Sequence, residues 1–148
     1  MKRLTVYIAL VVAGLILLGT TEASAQKKMA KTLWAAEDLK WEAMQGGPPG
    51  VMTALLRGDQ TKGAYEGLTK FPAGFKAPLH THTYDTKIVV IKGAYTYNGK
   101  NYGPGSYLFI PGGDKHVSGG TADSETIFFM EQPGKFDMKP VEPPKAKK

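Results

Sequence analysis

An all-β domain is what this sequence predicts. Three observations carry it. Short apolar runs recur at intervals of roughly ten residues. Turn residues separate them, with 18 Gly and 10 Pro in 148 residues. No stretch after the leader sustains a helical period beyond two turns, so helical packing has nothing to build on.

The N-terminus stands apart. Met1-Lys2-Arg3 supplies a positive start, Val6 to Leu18 is apolar, and "TTEASA" ends in Ala23-Ser24-Ala25, a small-x-small cleavage pattern. Residues 1–25 therefore read as a secretory signal peptide cleaved after Ala25. The alternative, an uncleaved anchor, wants an apolar run nearer the ~20 residues of a spanning helix. The expected location is periplasmic or secreted, with no stable membrane anchor after cleavage. There is no cysteine, so neither disulfides nor a thiol-linked lipid contribute.

The formal net charge is +6. Much of it sits at the ends, in the basic lead 26–32 and the Pro/Lys tail 142–148, which read as solvated and disordered. Basic tails can bind nucleic acid, but export argues against it, and no nucleic-acid partner is expected. Residues 33–141 make one domain.

Along that domain, Leu39 to Met44 alternates and reads as a first strand, although Ala35 to Leu39 could open as a helical turn. "GGPPG" is a loop, and Val51 to Leu56 a strand. "RGDQTKG" turns the chain into Ala64 to Phe71. After "PAGFKAP" comes a long strand, His80 to Ile91. Ala94 to Gly103 reads as a hairpin about Asn98-Gly99, a strong turn signal. Ser106 to Ile110, Val117 to Gly120, Thr126 to Met130 and Phe136 to Val141 complete the set. Such strands suit a small barrel or sandwich.

All three histidines fall into one pattern. On a strand, residues i and i+2 share a face. His80 and His82 therefore project together, and the same alternation aims Tyr84, Thr86, Ile88 and Val90 inward. His116 lies 34 residues beyond His82, after a hairpin and a return strand that could bring it back beside the pair. Three imidazoles suit a divalent ion such as zinc, iron, copper or nickel. An isolated His-x-His remains weak evidence, and three unconnected surface histidines are the competing possibility. Other side chains placed for the cavity are Tyr95, Tyr97, Phe109 and Phe129, which are ordinarily plain core. Tyr84, aimed beside the metal, is the candidate catalytic residue, a phenol able to donate to a bound substrate.

These residues carry a family resemblance. Gly74, His80, His82 and Gly93 stand in register with the first cupin motif, and Gly105, Pro111, Gly113 and His116 with the second. The chain resembles small single-domain bacterial cupins, of the cupin 2 or ChrR-like type, from Leu33 to about Val141. The resemblance implies a single jelly-roll β-barrel, a metal site inside it (His80, His82, His116) and a homodimer. Where cupins usually carry a glutamate ligand, this chain has Thr86, and the second motif's closing asparagine is replaced by Gly120. Glu125 or Glu131 could reach inward in its place. Without a carboxylate, three neutral imidazoles leave a divalent ion at about +2, which favours an anionic small-molecule ligand. Three-histidine cupins suggest iron-dependent dioxygenases acting on thiols or diketones, with zinc, nickel, manganese or copper as other occupants. The opposite expectation is a non-catalytic binding module for sensing, storage or a structural role.

Overall fold

The structure, a computed structural model, describes residues 30–142. The signal peptide, most of the basic lead and nearly all of the Pro/Lys tail lie outside the described residues. Among the described residues, no helix is long and apolar enough to cross a membrane.

Among the described residues, eleven short strands follow a 3-10 turn at Ala36–Asp38. They are β1 (Glu42–Ala43), β2 (Met52–Gly58), β3 (Tyr65–Phe71), β4 (His80–Thr81), β5 (Thr86–Lys92), β6 (Tyr95–Tyr97), β7 (Lys100–Tyr102), β8 (Tyr107–Ile110), β9 (Ser118–Gly119), β10 (Thr126–Gln132) and β11 (Lys139–Pro140). All pairings are antiparallel. The main sheet runs β1-β2-β3-β10-β5-β8, with smaller sheets β11-β4 and β7-β6-β9. Isolated bridges at Lys76↔Gly119 and His80↔His116 stitch the small sheets together. The result is a jelly roll whose sheets do not close into one hydrogen-bonded cylinder.

The central strands show period two. In β3 and β10, alternate residues are buried from end to end. In β5, Thr86, Ile88 and Val90 face the core while Lys87 and Val89 face out. Tyr95 joins the layers: its ring lies 5.0 Å from Phe128 and 5.9 Å from Phe71. Aromatic pairs of this kind add about 0.5–1.5 kcal/mol beyond their burial. The Asn98-Gly99 hairpin forms as its sequence demands. Both residues take positive φ, 48° and 82°, which a two-residue turn matching strand twist requires.

Three expectations change. The first strand shrinks to Glu42–Ala43, and Ala36–Asp38 takes the helical turn. The long strand from His80 breaks after Thr81 and resumes at Thr86. Phe109 is half exposed and Phe129 only partly buried, both on the outer face, so neither fills the barrel.

Candidate metal centre

The break in the long strand sets the site. At Thr83 the backbone N–H donates not to a neighbouring strand but to the Asp137 carboxylate, at 2.8 Å, and the Thr83 hydroxyl donates to the same carboxylate. Asp85 accepts from the Gly112 N–H at 2.8 Å. These contacts hold a bend over Thr83 and Tyr84. The bend interrupts period two: His82 and Thr86 stay on the inner side, and Tyr84 swings out. Tyr84 is 38% exposed and does not line the cavity at the histidines. Its ring fills the space where a Gly134 side chain would be. The alternation that aimed it at the metal thus fails.

His116 returns beside His80 through a backbone pair. His80 N–H donates to the His116 carbonyl and His116 N–H to the His80 carbonyl, each at 3.0 Å. The Gly113 N–H, 2.8 Å from the His82 carbonyl, ties the turn before His116 to the same strand. Gly113 has φ +81°, a conformation that favours glycine. The three rings converge, with centroids 4.3 Å apart for His80–His116, 4.9 Å for His80–His82 and 5.6 Å for His82–His116. One ligand nitrogen from each lies within 4.8 Å of the others.

The hydrogen bonds settle which nitrogens are free. His80 Nδ1 lies 2.7 Å from the Pro78 carbonyl, His82 Nδ1 meets the Asp137 carbonyl, and His116 Nδ1 lies 3.2 Å from the Asp114 carbonyl. A carbonyl only accepts, so each Nδ1 must donate. Each Nε2 is then left with a lone pair. His116 Nε2 is buried with no partner, an arrangement that is rare unless something else satisfies it. This set fits a divalent ion. Asp114 adds a carboxylate oxygen 3.4 Å from His116 Nδ1 and accepts from the Tyr97 hydroxyl at 2.5 Å. Carboxylates behind a ligating histidine fix its ring and raise its basicity. The Tyr97 phenol is pushed up to about 12 by its burial and by Asp114.

Burial is the first cause holding His82 near 4 rather than its ordinary 6.5, and the neighbouring imidazoles also disfavour its charge. His116 is lowered for the same two reasons. Both are neutral at pH 7, as ligation requires.

Thr86 faces inward, buried, and lines the cavity with His80 and His82. Its hydroxyl accepts from Gln132 Nε2 at 2.6 Å, and Gln132 Oε1 accepts from the Tyr65 hydroxyl at 3.1 Å. Position 86 is therefore tied into a buried polar chain. Neither glutamate replaces the missing ligand: Glu131 pairs with Lys87 at 2.8 Å, and Glu125 with Lys92 at 2.8 Å and Lys70 at 3.7 Å. Sequence inspection also missed Gln132, Asp114 and Asp137. Carrying the alternation of Thr126, Phe128 and Met130 one step further finds Gln132. Nothing in the sequence marks the two aspartates.

The cavity is small, about 40 Å³, room for roughly one water at liquid density. Its other walls are mostly apolar, among them Phe71, Phe75, Ile88, Phe128 and Met130, with Thr69 and Ser118 as polar exceptions.

A jelly roll with convergent histidines on these strands defines a cupin. The model of the ChrR cupin-like domain matches residues 29–135, and the chain belongs to that family. No curated protein matches it. Among solved structures, it is similar to the polyketide cyclase RemF from Streptomyces resistomycificus, with TM-score 0.65 and 20% identity over 79% of this chain and 89% of that one. It is also similar to an RmlC-like cupin protein from Ralstonia eutropha, with TM-score 0.59 and 22% identity over 72% and 70%. A third similar structure is Rhodobacter sphaeroides SigE in complex with the anti-sigma ChrR, with TM-score 0.54 and 22% identity over 66% of this chain. The chain covers about half, 51%, of the matched chain there. At these identities the likeness is one of fold.

Proposed function

We propose that the protein is an exported, metal-dependent cupin that acts on a small, anionic molecule at a three-histidine centre. The observation that carries this is the shared tautomer: three carbonyls hold the Nδ1 protons and leave three Nε2 lone pairs, in a set whose rings each bring a ligand nitrogen within 4.8 Å of the others. A divalent ion bound there supplies Lewis acidity and, if it is iron, redox chemistry toward dioxygen.

The chain's own residues do the rest. His82 and His116 present neutral nitrogens without first losing protons, and His80 turns its Nε2 lone pair to the same space. Asp114 orients His116 from behind. The apolar walls exclude water, which strengthens electrostatic attraction inside. The cavity volume limits the part of a ligand that reaches the histidines to a few atoms, which suits a carboxylate, a thiolate or an enolate edge. With Thr86 in place of a carboxylate, the site keeps its full positive charge for that anion.

Calorimetric titration of the metal-stripped protein with zinc and ferrous ions at pH 7, in two buffers of different ionisation enthalpy, tests this. One ion per chain with little proton release is expected. Release of one proton or more per ion would mean that His82 and His116 are not neutral donors. Oxygen-uptake assays on thiols and diketones then follow for the iron form.

A homodimer belongs to the same proposal. The outer face of β5 and the edge strand β8 exposes Val89, Ile91, Tyr107 and Phe109. An apolar edge strand of this kind is usually covered, and a second copy related by a two-fold axis would cover it. Sedimentation should show a dimer that Tyr107→Lys/Phe109→Lys dissociates.

A further inference from the structure

The polar chain behind Thr86 has a direction. Tyr65, Gln132 and Thr86 stand in one row across β3, β10 and β5: Tyr65 is opposite Gln132, and Thr86 comes one step past the Glu131–Lys87 pair. All three are buried, so their polar atoms need partners within the protein or in the cavity. Of the three, only Thr86 lines the cavity with His80 and His82.

Protons can be counted along the row. Burial pushes the Tyr65 phenol up, so it keeps its proton and donates to Gln132 Oε1 at 3.1 Å. That fixes the amide and turns its Nε2 to Thr86 Oγ1 at 2.6 Å. An amide nitrogen only donates, so the Thr86 oxygen accepts. The hydroxyl then has its own proton left to give. Among the described residues, the acceptor within its reach is the Tyr84 carbonyl at 3.5 Å, beyond the roughly 2.5–3.0 Å of an O–H···O bond. A chain of donors thus ends at the histidine cavity with a proton that lacks a good protein acceptor. Turning the amide over would tie that proton to Gln132 and leave the Tyr65 proton the Met130 sulfur at 3.9 Å, a weak acceptor.

We infer that this row sets the ligand preference of the histidine centre: the Thr86 hydroxyl donates to one oxygen of a carboxylate whose other oxygen is held at the centre. The inference rests on the metal-dependent reading above and narrows its anion to a carboxylate. Both oxygens of a carboxylate accept, and a hydrogen bond to a charged acceptor is about twice as strong as one between neutral groups. A halide must serve the centre and the hydroxyl with a single atom. Gln132 and Tyr65 are positioning residues, which keep the Thr86 proton for the ligand rather than for the amide.

The test loads the mature chain with cobalt(II), measures its metal content, and follows the visible bands of the bound ion. Formate and chloride are titrated separately in a carboxylate-free buffer. The formate-to-chloride affinity ratio is the readout, because a general loss of structure or of metal weakens both anions together. Thr86→Val, nearly isosteric, should lower the ratio about tenfold, and Thr86→Ser, which keeps a hydroxyl, should restore most of it. Tyr65→Phe leaves the cavity lining intact but frees the Gln132 amide to turn and take the Thr86 proton. The ratio should fall there too, and this variant carries the test should Thr86→Val fail to fold. A wild-type chain that takes up no cobalt sinks the three-histidine reading and this inference with it. A loaded chain whose ratio is unchanged in Thr86→Val or in Tyr65→Phe overturns this inference alone.

Discussion

Replacing Thr86 with glutamate adds a carboxylate beside the three histidines, and the structure says what it should do. Thr86 is 2% exposed, lines the histidine cavity and accepts from Gln132. Without metal, the new carboxyl group sits in a largely apolar space beside the imidazoles and loses the present Gln132 geometry. That should cost about 1–3 kcal/mol, or about 2–4 °C of melting temperature for each kcal/mol in a chain of this size. With metal, the carboxylate becomes a fourth ligand and lowers the site charge from about +2 to about +1. A tenfold gain in affinity, about 1.4 kcal/mol, is the expected order. At a fixed metal concentration 100 times the wild-type dissociation constant, metal stabilisation would rise from about 2.7 to about 4.1 kcal/mol. The assay is a pair of thermal scans, with and without zinc, beside a competition titration against a chromophoric chelator. Thr86→Glu should melt below wild type when stripped and gain more on loading. A stripped protein that is destabilised but binds zinc no better than wild type would refute the placement of position 86 at the metal.

Three further predictions rest on other contacts. His82 is held near 4 in the folded chain against 6.5 when exposed, so below pH 6.5 the unfolded chain binds the extra proton first. Stability of the stripped protein should be full above pH 6.5 and fall by about 2 kcal/mol on acidification to pH 4.5; denaturant melts at the two pH values check this, and a flat profile would contradict it. Asp114→Asn should leave the fold intact and weaken zinc binding about tenfold, read by the same chelator competition. Gly93 has φ +70°, and an added Cβ there would meet the Glu125 carbonyl oxygen at 2.6 Å, so Gly93→Ala should cost about 2–3 kcal/mol in urea melts.

Much of the fold was legible because period two is enforced wherever one face of a strand is buried. Ile88, Val90, Phe128 and Met130 follow it, and so does the Asn98-Gly99 hairpin. The histidine set was legible because its backbone pairing, His80 with His116, follows from the length of one hairpin and one return strand. Tyr84 was misplaced for a physical reason. Alternation assumes that the backbone keeps pairing with a neighbour, but at Thr83 it pairs with the Asp137 side chain, 54 residues away. A contact that distant leaves no local trace. The same holds for Asp114 and Asp137, whose roles come from where their oxygens end up rather than from any spacing. Phe109 and Phe129 look like core by composition, yet their parity on β8 and β10 places them outside.

The central claim is a metal held by three histidines, and the direct measurement is elemental analysis. The mature chain, purified without a histidine tag, is compared with a His80→Ala/His116→Ala double variant, both reloaded with iron and zinc and then desalted. About one metal ion per chain in the first and none in the second is the predicted result. Two empty proteins, or equal metal in both, would contradict the three-histidine centre and leave the barrel as a binding or structural module.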